Sequence, residues 1–160
     1  MHYGRPMSEE IRIRPVAPDD VPVFFEHRAD AEAARMATVE PRDRASFDDL
    51  WAKMLRDERA VLRAVEADGV VVGNVVSWEH EGEREVGYWI GREHWGRGVA
   101  TAALAAFVAE VTERPLFAHV VNSNVGSIRV LEKCGFRRTG DPTVAADGVV
   151  ELLYRLDGTG

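Results

Sequence analysis

The chain has 160 residues, 46% hydrophobic and 29% charged, with a net charge of −7 and one cysteine, Cys134. That fits one domain over residues 1–160 with a single good core. It excludes a general nucleic-acid partner, since no basic block could neutralise phosphates, and it excludes an intrachain disulfide, since a lone thiol has no mate.

Residues 1–10 read as a polar leader, with Met7 an alternative start, and no signal peptide is visible. No apolar run reaches membrane-spanning length, so no membrane partner is expected. The lone thiol suits a reducing cytoplasm. Residues 11–14 alternate apolar and charged side chains before Pro15 and predict a first strand. Pro18, Asp19 and Asp20 mark a helix start, followed by the apolar Val21, Val23, Phe24 and Phe25. Residues 27–35 predict a second short helix. Asp43 opens a third, on which Phe47, Leu50, Trp51, Met54 and Leu55 recur at helical spacing.

Residues 60–67 and 70–78 predict two strands around Asp68-Gly69, a strong hairpin signal. Gly73 inside the second marks a bulge or a close approach. A turn at residues 81–83 leads to a further strand, from Glu85 to Ile90, and an alanine-rich helix is expected over residues 98–113. Its many small residues suggest close packing on a sheet. Beyond Pro115, residues 116–121 predict a strand. Asn124 is a good N-cap for the next helix, and Gly135 stands where a helix end takes a left-handed residue. Residues 137–139 and 149–156 close the chain as two strands around the turn at Asp147-Gly148. Strands followed by helices in this order predict an α+β domain with a central sheet of about seven strands.

The chain is organised around residues 85–101, EVGYWIGREHWGRGVAT. A strand, a glycine-containing turn and a helix start make an anion cradle. The first helical N–H groups lack internal partners, the helix dipole is positive there, and Gly96 and Gly98 carry no Cβ to hold a phosphate away. No Lys-Ser or Lys-Thr follows the glycines, as a P-loop requires, and Thr101 stands where a dinucleotide fingerprint has its third glycine. An ordinary tight βα turn remains open at this point.

The segment Trp95-Gly96-Arg97-Gly98-Val99-Ala100 resembles the cofactor motif of the GNAT-type N-acetyltransferases, with tryptophan in place of a polar first residue. A second stretch carries Asn124, Ser127, Glu132, Lys133, Gly135 and Phe136. It is similar to the N-x-x-S-x-x-x-x-E-K-x-G-F signature of the branch that includes the ribosomal-protein N-terminal acetyltransferases. The resemblance runs from Ile11 along nearly the whole chain. It implies the GNAT fold, a mixed sheet with flanking helices, and acetyl-CoA as cosubstrate without a metal.

The resemblance further implies that acetyl-CoA lies in a V-shaped gap. Tyr88, Trp89 and Ile90 would pair with its pantetheine, residues 95–101 (Trp95, Gly96, Arg97, Gly98, Val99, Ala100 and Thr101) would hold its pyrophosphate, and Asn124 and Ser127 would complete the site. The early helices would wall the acceptor groove. The acceptor would be a small-molecule amine or a protein N-terminus, and a homodimer is compatible with the reading.

Attack by an amine of pKa near ~10.4 calls for a base, since the amine is mostly protonated at neutral pH. Glu85 leads, with Glu79 and Glu83 behind it; a solvated surface carboxylate is the plain alternative. Many relatives place a tyrosine, as acid, just before the Glu-Lys pair. Here Leu131 fills that position, and Ser127 is the substitute the branch suggests, as a hydrogen-bond donor to the sulfur. His94 is a candidate cofactor contact. His119 is read as structural and Cys134 as a buried thiol. Transfer of another acyl group and a non-catalytic acetyl-CoA-binding regulatory module stay open beside the acetyltransferase.

Overall fold

The computed structural model describes residues 10–37 and 43–158, so of the predicted leader only Glu10 lies within it. In chain order it contains β1 (Ile11–Pro15), α1 (Val21–Ala29), α2 (Ala31–Ala37), α3 (Arg44–Arg56), β2 (Val61–Ala67), β3 (Val70–His80) and β4 (Glu83–Ile90). Then come α4 (Val99–Glu110), β5 (Leu116–Val121), α5 (Val125–Lys133), β6 (Arg137–Val144) and β7 (Val150–Leu156). The strands form one sheet of seven, ordered β1-β2-β3-β4-β5-β7-β6, with β4 and β5 parallel and all other neighbours antiparallel. This is the mixed α+β architecture expected.

Local chemistry sets most of the boundaries. Asp68 and Gly69 have φ of 50° and 82°, the left-handed pair that a two-residue hairpin turn needs. Glu81 and Gly82 repeat the device between β3 and β4. Asp43 caps α3 by accepting from the Ser46 N–H at 2.7 Å. At the end of α5 the chain turns through Gly135 at φ 91°, and Phe136 N–H returns to the Leu131 carbonyl at 3.0 Å. Gly73 faces the bulge in the β2–β3 ladder, and a Cβ there would lie 2.3 Å from the Trp89 carbonyl oxygen. Bulge and close approach therefore coincide at that residue.

Several boundaries differ from expectation. The predicted helix over 27–35 is split, because Asp30 takes an extended conformation and its carboxylate caps α2 through the Ala33 N–H at 3.0 Å. The alanine-rich helix stops at Glu110 rather than 113. Val111 turns extended into the core, and the Arg114 guanidinium takes the Val108 and Val111 carbonyls. β4 begins at Glu83, since the tight turn occupies only Glu81 and Gly82. β6 runs on to Val144 through a register irregularity beyond Thr139.

Alternation along the strands divides the apolar side chains between the two faces of the sheet. Val75, Val86 and Ile90 pack with Leu104 and Phe107 of α4 and Leu131 of α5. Leu62, Ala64 and Val76 pack on the other face with Phe24 of α1 and Phe47 and Trp51 of α3. The small residues of α4 do not all pack closely, as the composition suggested. Val99, Ala103, Leu104 and Phe107 are buried, whereas Ala102, Ala105, Ala106 and Ala109 are exposed and serve helix propensity alone.

Candidate active site

The site begins where the sheet comes apart. β4 pairs with β3 as far as Ile90, yet with β5 only at Arg84↔Leu116 and Glu85↔Phe117. Beyond those two pairs β5 continues with β7 to Val121, and β4 is left with no strand on that side. The result is a wedge-shaped opening in the middle of the sheet, with an unpaired strand edge along one wall.

A cavity of about 410 Å³ occupies the wide end of the wedge, on the α4 and α5 side. Of the residues expected at the cofactor, Trp89, Ile90, Trp95, Gly96, Gly98, Val99, Ala100, Thr101, Asn124 and Ser127 all line it, and so does His94. Arg97 is exposed and stands off the lining. The cradle has the required backbone: Gly96 and Gly98 lie at φ 77° and 76°, and no atom approaches within 4 Å of where their Cβ atoms would be. Gly98 caps α4 in the left-handed region without a side-chain hydrogen bond. The first intrahelical bond reaches its carbonyl from Ala102 at 3.0 Å, so the N–H groups of Val99, Ala100 and Thr101 have no partner inside the helix. Trp95, the departure from the motif, retains a polar function, since its Nε1–H donates to the Ile90 carbonyl at 2.9 Å and ties loop to strand.

On the opposite wall Asn124 Oδ1 accepts from the Ser127 N–H at 3.2 Å, so Asn124 caps α5 while lining the cavity. Ser127 Oγ lies 2.7 Å from the Tyr88 hydroxyl. Burial pushes the Tyr88 phenol up to about 12, so it remains a neutral O–H at ordinary pH. Cys134, expected to be buried, is only half-buried: Sγ lies 3.5 Å from the Thr101 carbonyl, and what burial there is pushes the thiol up, away from thiolate chemistry.

Glu85 is not on this cavity. It lies on the face of β4 shared by Gly87 and Trp89, whereas Tyr88 points to the other face. Glu85 is buried and opens into a second cavity of about 430 Å³, lined also by His80, Glu81, Glu83, His119 and Glu151. His119, read as structural, contacts Glu85 directly: Nε2 is 3.2 Å from Glu85 Oε1. Of the other candidate bases, Glu83 lines this second cavity, and Glu79 pairs with Arg59 at 3.1 Å. Glu85 and Ser127 are thus on opposite sides of the sheet, with the wedge between them.

Sequence reasoning missed several wall residues. Arg129 and Lys133 present cations one turn apart on α5, a spacing visible in the sequence. Ala33, Met36 and Ala37 bring α2 to the cavity. α1 adds a support, as the His27 carbonyl accepts from Trp89 Nε1 at 3.2 Å and the Arg28 guanidinium lies 4.6 Å from the Trp89 ring centre. Among the described residues no group of His, Cys, Asp and Glu is placed to hold a metal ion, and no helix is long and apolar enough to cross a membrane.

The sequence model of the Acetyltransferase (GNAT) domain matches residues 10–137, the greater part of the chain. The protein belongs to the GNAT acetyltransferase family. Membership implies acetyl-CoA-dependent acetyl transfer, and the GNAT cradle seen here, with open left-handed glycines at a helix start, fits that cosubstrate. Among curated proteins this GNAT domain is similar to the uncharacterized N-acetyltransferase p20 of Bacillus licheniformis, with 24% identity over 147 residues, 83% of this chain and 82% of that protein. Among solved structures it is similar to a GNAT-family acetyltransferase from Bacillus anthracis, with 20% identity over 94% of this chain and 96% of that one and a TM-score of 0.78. It is also similar to Mycobacterium smegmatis RimJ, solved in complex with CoA-disulfide, with 25% identity over 92% of this chain and 81% of that one and a TM-score of 0.72.

Proposed function

We propose that this GNAT protein moves the acetyl group of acetyl-CoA to a primary amine by direct attack in a ternary complex. The observation that carries the reading is the opening between β4 and β5, with the glycine cradle on one side of the sheet and a buried carboxylate on the other. Acetyl-CoA supplies an activated acyl carbon and a thiol leaving group. The backbone N–H groups of Val99, Ala100 and Thr101 would hold its phosphates, and the free edge of β4 at Trp89 and Ile90 would pair with its extended arm as an added strand does. Glu85 would accept the proton of the acceptor amine, entering from the α1 and α3 face. Ser127 Oγ, fixed by the Tyr88 hydroxyl, would donate to the sulfur. A phenol raised to about 12 gives little driving force for full proton transfer to a thiolate near ~8.5, so Tyr88 orients the serine instead of acting as the acid.

We place the protein near the ribosomal-protein N-terminal acetyltransferases. The motif from Asn124 to Phe136 supports this. A protein N-terminus therefore stands beside small amines as acceptor. The test is release of free thiol from acetyl-CoA over spermidine, lysine, ribostamycin and a peptide with a free N-terminal alanine. Turnover with any of them supports transfer to an amine. Binding of acetyl-CoA with no thiol released by any of them would favour a regulatory module, and turnover only with a longer acyl-CoA would favour another acyl group.

A further inference from the structure

The geometry points to His119 as the positioning residue of Glu85. This rests on the reading above, in which Glu85 takes the acceptor's proton. Glu85 stands opposite Phe117, the last paired position of the β4–β5 ladder. His119 is the next residue of β5 on the same face, the first beyond the point where the strands separate. Its ring spans the opening. Nε2 lies 3.2 Å from Glu85 Oε1, and Nδ1 lies 2.9 Å from Glu151 Oε1 on β7. The register partner of His119 is Leu153, so Glu151 reaches the ring diagonally across the β5–β7 pair. Side-chain exposure rises along the chain of contacts, from 11% at Glu85 to 44% at His119 and 47% at Glu151.

A base must aim a lone pair at the proton it removes. An isolated carboxylate on a strand is free to turn about its last bond and present either oxygen. The close contact of His119 Nε2 with Oε1 holds the plane of Glu85 and leaves Oε2 for the amine. Glu151 fixes the ring in the same way from its other side. The remaining polar groups of the cavity do not duplicate this role. Glu81 and Glu83 offer no donor, and His80 faces Glu81 at 3.9 Å. Among the described residues, His119 is the donor within reach of Glu85.

The rival account is a staple: a side chain that merely ties β4 to β5 where backbone pairing ends. Kinetics separate the two, using acetyl-CoA and the fastest amine among spermidine, lysine, ribostamycin and the alanine peptide. His119→Ala is expected to lower kcat about tenfold or more, part of the ~10²–10⁴ that a general base supplies. Affinity for acetyl-CoA should stay parental, because the cradle is on the other face. His119→Gln, which keeps a donor, should retain more activity than His119→Ala, and free imidazole should restore part of the alanine variant's rate through the open cavity. Glu151→Gln should cost less, and nothing further in the His119→Ala background. Parental kcat in His119→Ala overturns the inference alone. So does a loss that neither imidazole nor Gln restores and that adds independently to Glu151→Gln. A parent that releases no thiol with any of the four amines overturns the proposed function, and the inference with it.

Discussion

Gly98 offers the sharpest test of the cradle. It sits at φ 76° and ψ 9°, the left-handed cap of α4, with open space where a Cβ would go. A side chain there therefore acts in two ways. The left-handed conformation costs a residue with a Cβ about 1–2 kcal/mol. At about 2–4 °C per kcal/mol for a domain of this size, Gly98→Ala should melt about 2–8 °C below the parent, even without ligand. Separately, the new Cβ occupies the approach of a phosphate to the N–H groups of the first turn. Loss of one hydrogen bond to a charged oxygen is about 1.5–3 kcal/mol, or about ten- to hundredfold in Kd. Gly98→Asn separates the two effects, because asparagine tolerates the left-handed region better than alanine yet is bulkier. It should melt closer to the parent than Gly98→Ala and still lose at least tenfold in affinity for acetyl-CoA. Calorimetric titration reports the binding, and circular dichroism without ligand reports the strain. If Gly98→Asn binds acetyl-CoA with parental affinity, the phosphate does not lie on this helix start. Gly98→Val combines strain and bulk, so a fold-neutral outcome is not expected of it.

Acetyl-CoA at a hundredfold excess over Kd should stabilise the parent by about 2.7 kcal/mol, raising Tm by about 5–11 °C; a flat melting temperature at millimolar ligand would count against the cofactor. Glu85→Gln should lower kcat by about 10² or more and flatten the acid limb of the pH–rate profile with Kd for acetyl-CoA unchanged, and an unaltered profile would remove it from the mechanism. Ser127→Ala and Tyr88→Phe break the same 2.7 Å contact, so the double variant should be no slower than Ser127→Ala alone; additive losses would separate the two hydroxyls. Arg129→Ala and Lys133→Ala should weaken acetyl-CoA binding more than Arg97→Ala, with deficits that shrink in high salt; a larger, salt-sensitive loss at Arg97 would reverse that ranking. The bonds from Arg14, and then the Ala17 N–H, hold the Asp20 carboxyl below its ordinary range against the opposing effect of burial. Its contribution to stability is thus complete above the unfolded carboxylate value of about 3.9 and is lost as pH falls through the lowered folded value. Asp20→Asn should be less stable at pH 7 and show a shallower acid decline, and parallel decline curves would contradict this.

What the sequence disclosed is what short range decides. Hairpin turns at Asp68-Gly69, the caps at Asp43 and Asn124, the left-handed Gly135 and the glycines of the cradle are each specified within a few residues, and all appear where expected. The split at Asp30 was also locally encoded, but good helix formers on both sides masked it. The contacts that assemble the site depend on register between distant strands. His119 meets Glu85 only because β4 and β5 are parallel and part company one pair later. Ser127 meets Tyr88 across 39 residues of chain, as α5 is laid against the face of β4 opposite Glu85. Neither juxtaposition follows from spacing along the chain, and so His119 read as a strand residue and Tyr88 as a backbone contact.

The early parting of β4 from β5 also bears on how the protein avoids sticking to itself. Unpaired strand edges invite other chains, and proteins usually guard them at the rim of a sheet. Here a further edge lies in the interior, between two strands that the same domain holds in place. Its peptide groups are reachable by something slender and extended, while a second folded sheet is too thick to enter. The fold thus admits a thread and refuses a neighbour. Amide exchange should report the same thing: fast along the open side of β4 in the free protein, and slowed on that strand ahead of any other when acetyl-CoA is added.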